Sequence, residues 1–411
     1  MPTVIHTPGL VLTEHEFSVP LDHARAGGEE IGVFARAIAD PDGQDRPFLV
    51  FFQGGPGHEG ARPTRHPTSP DWLDRALQDF RVLMLDQRGT GRSTPVGTLP
   101  GLSPAEQAEY LTHFRADSIV RDAELIRVEL GVERWSILGQ SFGGFCAMSY
   151  LSLAPEGLRE AFVTGGLAPV GRHPEEVYRA TYARILERCR RYYERYPEDR
   201  ARVLALLERL DAEEVRLPTG DRLTARRFRQ AGNLLGMSDG AEELHALLEL
   251  PADSPAFLHD AQDPLGVERN PLYAIVHEAS YADGAATRWS AERVMPPEYA
   301  ETPELLTGEH VFPWMFEDYG GLAPLREAAE LLAAHEWPRL YDPDVLRTNE
   351  VPVAAAIYAE DPYVERVFSE ETAALIRGAR PWVTSEYEHN GLRADGDRIL
   401  GRLIDLARGR A

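Results

Sequence analysis

Ser141 sits between two glycines in Gly139-Gln-Ser-Phe-Gly143, and a serine so placed is a candidate nucleophile. The apolar run Trp135-Ser-Ile-Leu-Gly before it reads as a short buried strand, and Phe145–Leu153 after it, with few polar positions, reads as a helix. A sharp turn from strand to helix lifts the serine Oγ clear of the backbone, and small residues two positions to either side let the two elements approach closely. The five-residue pattern alone is weak, since most such runs are glycine-rich turns. The strand before it and the helix after it give it weight.

A serine hydroxyl is a poor nucleophile until a positioned base takes its proton, so Ser141 requires a histidine and a carboxylate to orient that histidine. Asp361 lies in Ala359-Glu-Asp-Pro-Tyr363, just beyond a strand at Val351–Tyr358, and His389 lies in Glu388-His-Asn-Gly391, just beyond a strand at Trp382–Tyr387. An arbitrary member of the thirteen histidines is a surface or structural residue, and Asp-Pro is a common turn start. Position after the last two strands singles these two out, with Glu360 as the rival for Asp361. The oxyanion of a tetrahedral intermediate also needs backbone donors. The N–H of Phe142, next after the serine, is one candidate. Gly55, in the loop Gln53-Gly54-Gly55-Pro56-Gly57 behind the strand Pro47–Phe52, is the other, although such a loop can be an ordinary turn.

These residues need a scaffold. Glu14–Leu21 and Ile31–Ala39 read as an antiparallel hairpin, and Pro47–Phe52, Arg81–Asp86, Trp135–Gly139 and the run from Ala161 as buried strands. Asp117–Leu130 reads as an amphipathic helix with Asp117 as its N-cap. With the two late strands the total is eight, and alternation with helices predicts a mostly parallel α/β sheet. From about Pro169 to Asp344 only helical and loop signals appear: arginine- and glutamate-rich helices at Val177–Tyr196 and Glu198–Leu210, then Arg226–Leu235, Ala241–Leu250, Asn270–Tyr281 and Leu322–Ala334. The expected organisation is a core over 1–169, a helical insert over 170–344, and a return to the core over 345–411. Helices at Glu365–Arg377 and Gly396–Arg408 complete it.

The 411 residues suit two or three units with a substantial core. The net charge of −23 argues against nucleic-acid and anionic-membrane partners. All 43 basic residues are arginine, which excludes lysine Schiff-base chemistry and a P-loop lysine. Two cysteines, Cys146 and Cys189, form no disulfide framework. With neither a signal-like N-terminus nor a run of about 18 apolar residues, a cytoplasmic location is expected. No metal-ligand constellation appears and no cofactor is implied; His277-Glu278 does not open HExxH, because Tyr281 stands where the second histidine belongs.

Gly-Gly-Pro-Gly (54–57), Asp86-Gln-Arg-Gly-Thr-Gly-Arg-Ser93, Gly-Gln-Ser-Phe-Gly-Gly (139–144) and the late Asp361 and His389 together resemble the prolyl aminopeptidase (proline iminopeptidase) family of α/β-hydrolases. The resemblance is strong over roughly 30–170 and 345–411 and patchy in the insert. It implies an α/β-hydrolase fold with an inserted helical cap domain, and a serine exopeptidase whose partner is a peptide with a free N-terminus and whose preferred residue is proline. Gln53 stands where family members usually carry histidine, which alters the support of the loop but not its backbone donors. An aminopeptidase must hold a charged amine, which asks for a desolvated carboxylate in the cap. Glu278, in the weakly polar stretch Tyr273-Ala-Ile-Val-His-Glu-Ala-Ser-Tyr281, resembles the family's amine-binding glutamate and is the first candidate. Glu309, in Thr307-Gly-Glu-His-Val-Phe-Pro-Trp314 with aromatic neighbours to flank a proline ring, is the second. A solvated or salt-bridged surface charge is the ordinary alternative for either. The competing functions are another α/β-hydrolase activity such as an esterase or amidase, and a non-catalytic binding protein on the same scaffold. Oligomeric state, peptide length and the strictness of the proline preference are left open by the sequence.

Overall fold

A computed structural model describes residues 2–411. Its main sheet is built from β1 (Thr3–Thr7), β2 (Leu10–Pro20), β3 (Glu30–Ala39), β4 (Phe48–Phe52), β5 (Arg81–Asp86), β6 (Trp135–Gln140), β7 (Leu158–Thr164), β8 (Val353–Tyr358) and β9 (Arg380–Thr384). Among the described residues the order is β1-β2-β3-β5-β4-β6-β7-β8-β9. The first three pairings are antiparallel, and from β5 to β9 every neighbouring pair is parallel.

The sheet therefore has nine strands rather than the eight read from sequence. The additional one is β1, whose five residues are all exposed and lack an apolar alternation to mark them. The central strands are buried on both faces. In β4, Phe48, Val50 and Phe52 enter the core cluster on one side, and Leu49 and Phe51 that on the other. This is why the strand reads as an unbroken apolar run.

Helices cover both faces. Helix α1 (Leu73–Asp79) contributes to one cluster together with the C-terminal helix Gly396–Ala407, while α2 (Ala116–Glu129) and α3 (Phe142–Leu153) pack on the other. Helix α2 begins one residue before Asp117, with Arg115 at the N-cap position. Asp117 instead lies in the first turn, where its charge meets the positive end of the helix dipole. Between β7 and β8 come helices and loops, led by α4 (Pro174–Arg195) and α5 (Pro197–Ala212). Among the described residues the only strand-like feature in that span is an isolated bridge, Arg216 to Arg222. Three predicted helices are each shared between an α-helix and a 3₁₀ turn, as at Ala225–Phe228 followed by Arg229–Gly236. The helix Pro255–Leu265 was not legible, because Pro264 within it reads as a helix breaker. Among the described residues no helix is long and apolar enough to cross a membrane.

The insert and the sheet share one core cluster. A polar clamp also joins them. Arg115, buried at the head of α2, donates to the carbonyls of Ala279 (3.1 Å), Ala282 (2.7 Å) and Pro338 (2.7 Å) and lies 4.6 Å from the Trp337 ring.

The turn from β6 into α3 is set by contact distances that no side chain could meet. A Cβ on Gly139 would lie 2.3 Å from the Gly143 carbonyl oxygen, and one on Gly143 would lie 1.9 Å from the Phe52 carbonyl oxygen. Ser141 itself adopts φ 54°, ψ −124°, a conformation that costs on the order of 1–3 kcal/mol for a non-glycine residue. Gly143→Ala should accordingly cost about 3 kcal/mol or more in denaturant unfolding. Gly97→Ala, where a Cβ would meet nothing within 4 Å, should stay within about 0.5 kcal/mol of the parent.

Candidate active site

Three of the residues singled out by sequence meet in one hydrogen-bonded line. His389 Nε2 lies 2.9 Å from Ser141 Oγ, and His389 Nδ1 lies 2.6 Å from Asp361 Oδ2. All three are buried. The other oxygen of Asp361 accepts from the backbone N–H groups of Tyr363 (2.8 Å) and Val364 (3.1 Å), so the loop after β8 fixes the carboxylate by its own backbone. Burial by itself would lower the pKa of His389. The charge of Asp361 and its hydrogen bond outweigh burial, Glu309 adds to them, and the net shift is upward. Glu360, the rival for Asp361, turns away and pairs with Arg191.

The arginine-rich helix α4 explains that turn. Arg184, Arg188 and Arg191, spaced to share one helix face, reach the loops that carry the aspartate and the histidine. Arg184 binds Glu365 through two bonds of 2.7 and 2.8 Å. Arg188 donates to Glu388 at 2.8 Å, next to His389, and to the Glu360 carbonyl at 2.9 Å. The backbone N–H of His389 also donates to the Gly236 carbonyl in the insert at 3.1 Å. Nothing in the sequence marked these arginines as more than solvated charge, because their partners lie some 170 to 200 positions away.

A cavity of about 650 Å³ opens on the line, with Ser141, His389, Gly54, Gly55, Tyr273 and Glu309 in its wall. Phe142 is the first residue of α3, so its N–H has no acceptor one turn back. Gly55, at φ 132°, is wedged against His58, where a Cβ would come within 2.4 Å of the imidazole. Of the two donors expected for an oxyanion, Phe142 directly follows the serine and Gly55 lines the same cavity.

The two cap glutamates occupy different places. Glu309 keeps 16% of its side chain exposed, accepts from Tyr273 Oη at 3.0 Å and lies 3.7 Å from His277 Nε2. Burial acts to raise its pKa, but His277, His389 and the Tyr273 hydroxyl reverse this and leave the carboxylate shifted down. Glu278, the first candidate from sequence, is not among the residues lining the cavity. It is 5% exposed, one oxygen accepts from the Ala291 N–H at 2.8 Å, and burial pushes its pKa up. Of the two, Glu309 lines the cavity with Ser141, whereas Glu278 has one oxygen on the insert's own backbone and the other, Oε2, buried without a hydrogen-bond partner. Phe312 and Trp314, expected to flank a ring, stack on each other at 5.6 Å, whereas Tyr273 and Tyr363 line the cavity. Among the described residues no group of three or more His, Cys, Asp or Glu side chains is placed to hold a metal ion.

Residues 47–392 match the alpha/beta hydrolase fold family. The proline iminopeptidase of Aeromonas sobria is 49% identical over 420 aligned residues, covering 97% of this chain and 97% of that protein. The chain belongs to the proline iminopeptidase family of α/β-hydrolases. Proline iminopeptidase aneH of Aspergillus aculeatus is 34% identical, with 97% of this chain and 94% of that protein covered. Within this member of the family, the segment Asp86–Ser93 is a fastening, buried except at Gly91 and Arg92. Arg88 donates to Asp122 (2.7 Å) and to the carbonyls of Leu21, His113 and Pro20 (2.8 to 2.9 Å), while Gln87 Nε2 holds the carbonyl of Gln53 at 3.0 Å. The support of the glycine loop at Gln53 therefore comes through its backbone.

Removing Arg188, whose side chain is 14% exposed, should cost about 1–2 kcal/mol of stability and slow turnover per folded molecule, since it leaves Glu388 unpaired beside His389. Arg195→Ala, which breaks an exposed pair with Glu242, should change stability by about 0.5 kcal/mol or less. Denaturant midpoints and active-site titration check both.

Proposed function

We propose that this protein is a serine aminopeptidase that releases an N-terminal residue, preferentially proline, from peptides through an acyl-enzyme. The observation that carries the reading is that one cavity wall holds both Ser141–His389 and the ionised Glu309, an acyl-transfer pair beside an anion suited to an ammonium group. The family's named members support it. Residues 170–344 act as the cap that brings Glu309 over the serine. Free buried cysteines at 146 and 189 suit a cytoplasmic setting.

In this mechanism His389 Nε2 takes the Ser141 proton as Oγ attacks the carbonyl of the first residue, and Asp361 holds the imidazole in the required tautomer. The N–H groups of Phe142 and Gly55 receive the oxyanion. His389 then gives its proton to the departing peptide amine. Water, deprotonated by the same imidazole, cleaves the ester and restores Ser141. Glu309 binds the substrate's terminal amine, helped by Tyr273 and His277, which hold its charge in place. Glu278 serves as a fastening of the segment around Ala291.

Ser141→Ala should lower turnover of prolyl-β-naphthylamide by about a millionfold with an unaltered unfolding midpoint; undiminished turnover would falsify the acyl-enzyme. Glu309→Gln should raise KM for free-amine substrates by about 10- to 150-fold, the value of a hydrogen bond to a charged group, with a far smaller loss on neutral esters. Equal losses on both would remove its role.

The pH profile follows from the two shifts. His389 must be neutral to act as base and its pKa is raised, so the acid limb of kcat/KM should lie above the ordinary histidine value of about 6.5. Glu309, shifted down, stays ionised throughout that limb. Because Asp361 is the main raising influence, Asp361→Asn should move the limb to lower pH while cutting kcat by about ten-thousandfold.

A further inference from the structure

The cavity at Ser141 has a neighbour. A second cavity, of about 590 Å³, shares Gln53, His58 and Arg269 with it and extends beyond them to Arg36, Arg62 and Arg92, with Glu59 and Asp86 as its acidic lining. Four guanidinium groups around one hollow stand out on a chain whose net charge is −23.

Their pairing is uneven. Arg36 and Arg92 divide a single carboxylate, Glu14, each at 2.8 Å, and Arg92 also lies 3.5 Å from the exposed Glu16. Arg269 is matched by Glu59. Asp86 spends its oxygens on the backbone N–H groups of Gly60 (3.1 Å) and Arg92 (2.9 Å). Arg62 is exposed, and among the described residues its guanidinium has no hydrogen-bond or ion-pair partner. Arg36 and Arg92 are thus answered by Glu14, Glu16 and the nearby Asp86, and Arg269 by Glu59, which leaves Arg62 as the guanidinium without a direct partner.

A substrate with its amine at Glu309 and its first carbonyl at Ser141 must place its remaining residues outside that pair. Each extended residue spans about 3.3–3.6 Å, so two or three residues beyond the scissile bond reach roughly 7–11 Å. Gln53, His58 and Arg269 line both cavities, so the arginine-lined one adjoins the one that holds Ser141. We propose that the arginine-lined cavity receives a carboxylate of the departing peptide, with Arg62 as its main partner, so that short peptides ending in a free carboxylate are better substrates than their amides. This rests on the aminopeptidase reading above and adds to it the charge and length of the preferred peptide.

The test compares di-, tri- and tetrapeptides of the series Pro-Gly, Pro-Gly-Gly and Pro-Gly-Gly-Gly as free acids and as C-terminal amides. The wild-type protein should favour the acid by about fivefold in kcat/KM (about 1 kcal/mol) at one length. That ratio should fall towards one in about 1 M salt, where the screening length is about 3 Å. Arg62→Gln should bring it close to one and Arg62→Lys should retain part of it. Because both substrates meet the same preparation, a poorly folded fraction cancels from the ratio. Pro-Gly-Asp amide separates the two sources of carboxylate: recovery of the preference would assign the cavity to acidic side chains, and no recovery would assign it to the C-terminus. An acid-to-amide ratio near one at every length, or one untouched by Arg62→Gln, overturns the proposal. Turnover of prolyl-β-naphthylamide, which carries no carboxylate, reports separately on the aminopeptidase reading.

Discussion

The approach of β6, α3 and β4 around Ser141 is the constraint on which the rest depends. Gly143 packs so closely on the Phe52 carbonyl that any Cβ would overlap it, and Gly139 is packed nearly as closely on Gly143. That contact puts the end of β4, with its glycine loop, beside the serine, and it holds Ser141 in a backbone conformation that a free chain avoids. The serine thereby sits at the carboxyl-terminal edge of the sheet, at the end of the central strand β6, where the loops after β8 and β9 also begin. A hydroxyl raised at that edge, a carboxylate fixed by two backbone N–H groups and an imidazole between them follow from one geometry.

The electrostatics are arranged in layers around this centre. Nearest the serine, the carboxylates of Asp361 and Glu309 both act on His389, one as a hydrogen-bond partner and one through its charge. Farther out, Arg184 and Arg188 neutralise Glu365 and Glu388, the acidic residues of the loops that carry the aspartate and the histidine. Arg115 and Arg88 are buried and serve as multidentate fastenings, one between the sheet and the insert and the other between β2, the segment after β5, and α2. Arginine suits these places because its planar fork satisfies several carbonyls at once. The complete replacement of lysine by arginine gives the chain many such forks.

Much of the architecture was legible because it follows from short-range pattern. The strands β4 to β8 and helix α3 declare themselves as apolar runs and the helices α2, α4 and α5 through periodicity, and the two late strands place Asp361 and His389 without knowledge of any contact. Strand β1 was not legible, since an exposed edge strand carries no buried face to write an alternation into the sequence. Glu360 stayed a rival to Asp361 for a similar reason: adjacent residues in one loop differ only in direction, and the direction of Glu360 is set by Arg191 from a distant helix.

The sequence by itself determined which serine, aspartate and histidine are the candidates, their order along the chain and the sheet that presents them, because each depends on local turn chemistry and on the periods of strand and helix. Only the tertiary structure decided which glutamate meets the cavity. Glu278 and Glu309 have similar local settings, yet packing of the insert turns the first onto the Ala291 N–H and the second toward Ser141. The same holds for the arginines: whether a guanidinium is a surface charge, a brace for His389 or an unpaired cation beside the cavity depends on residues far off in sequence, and long-range pairing leaves no periodic signature.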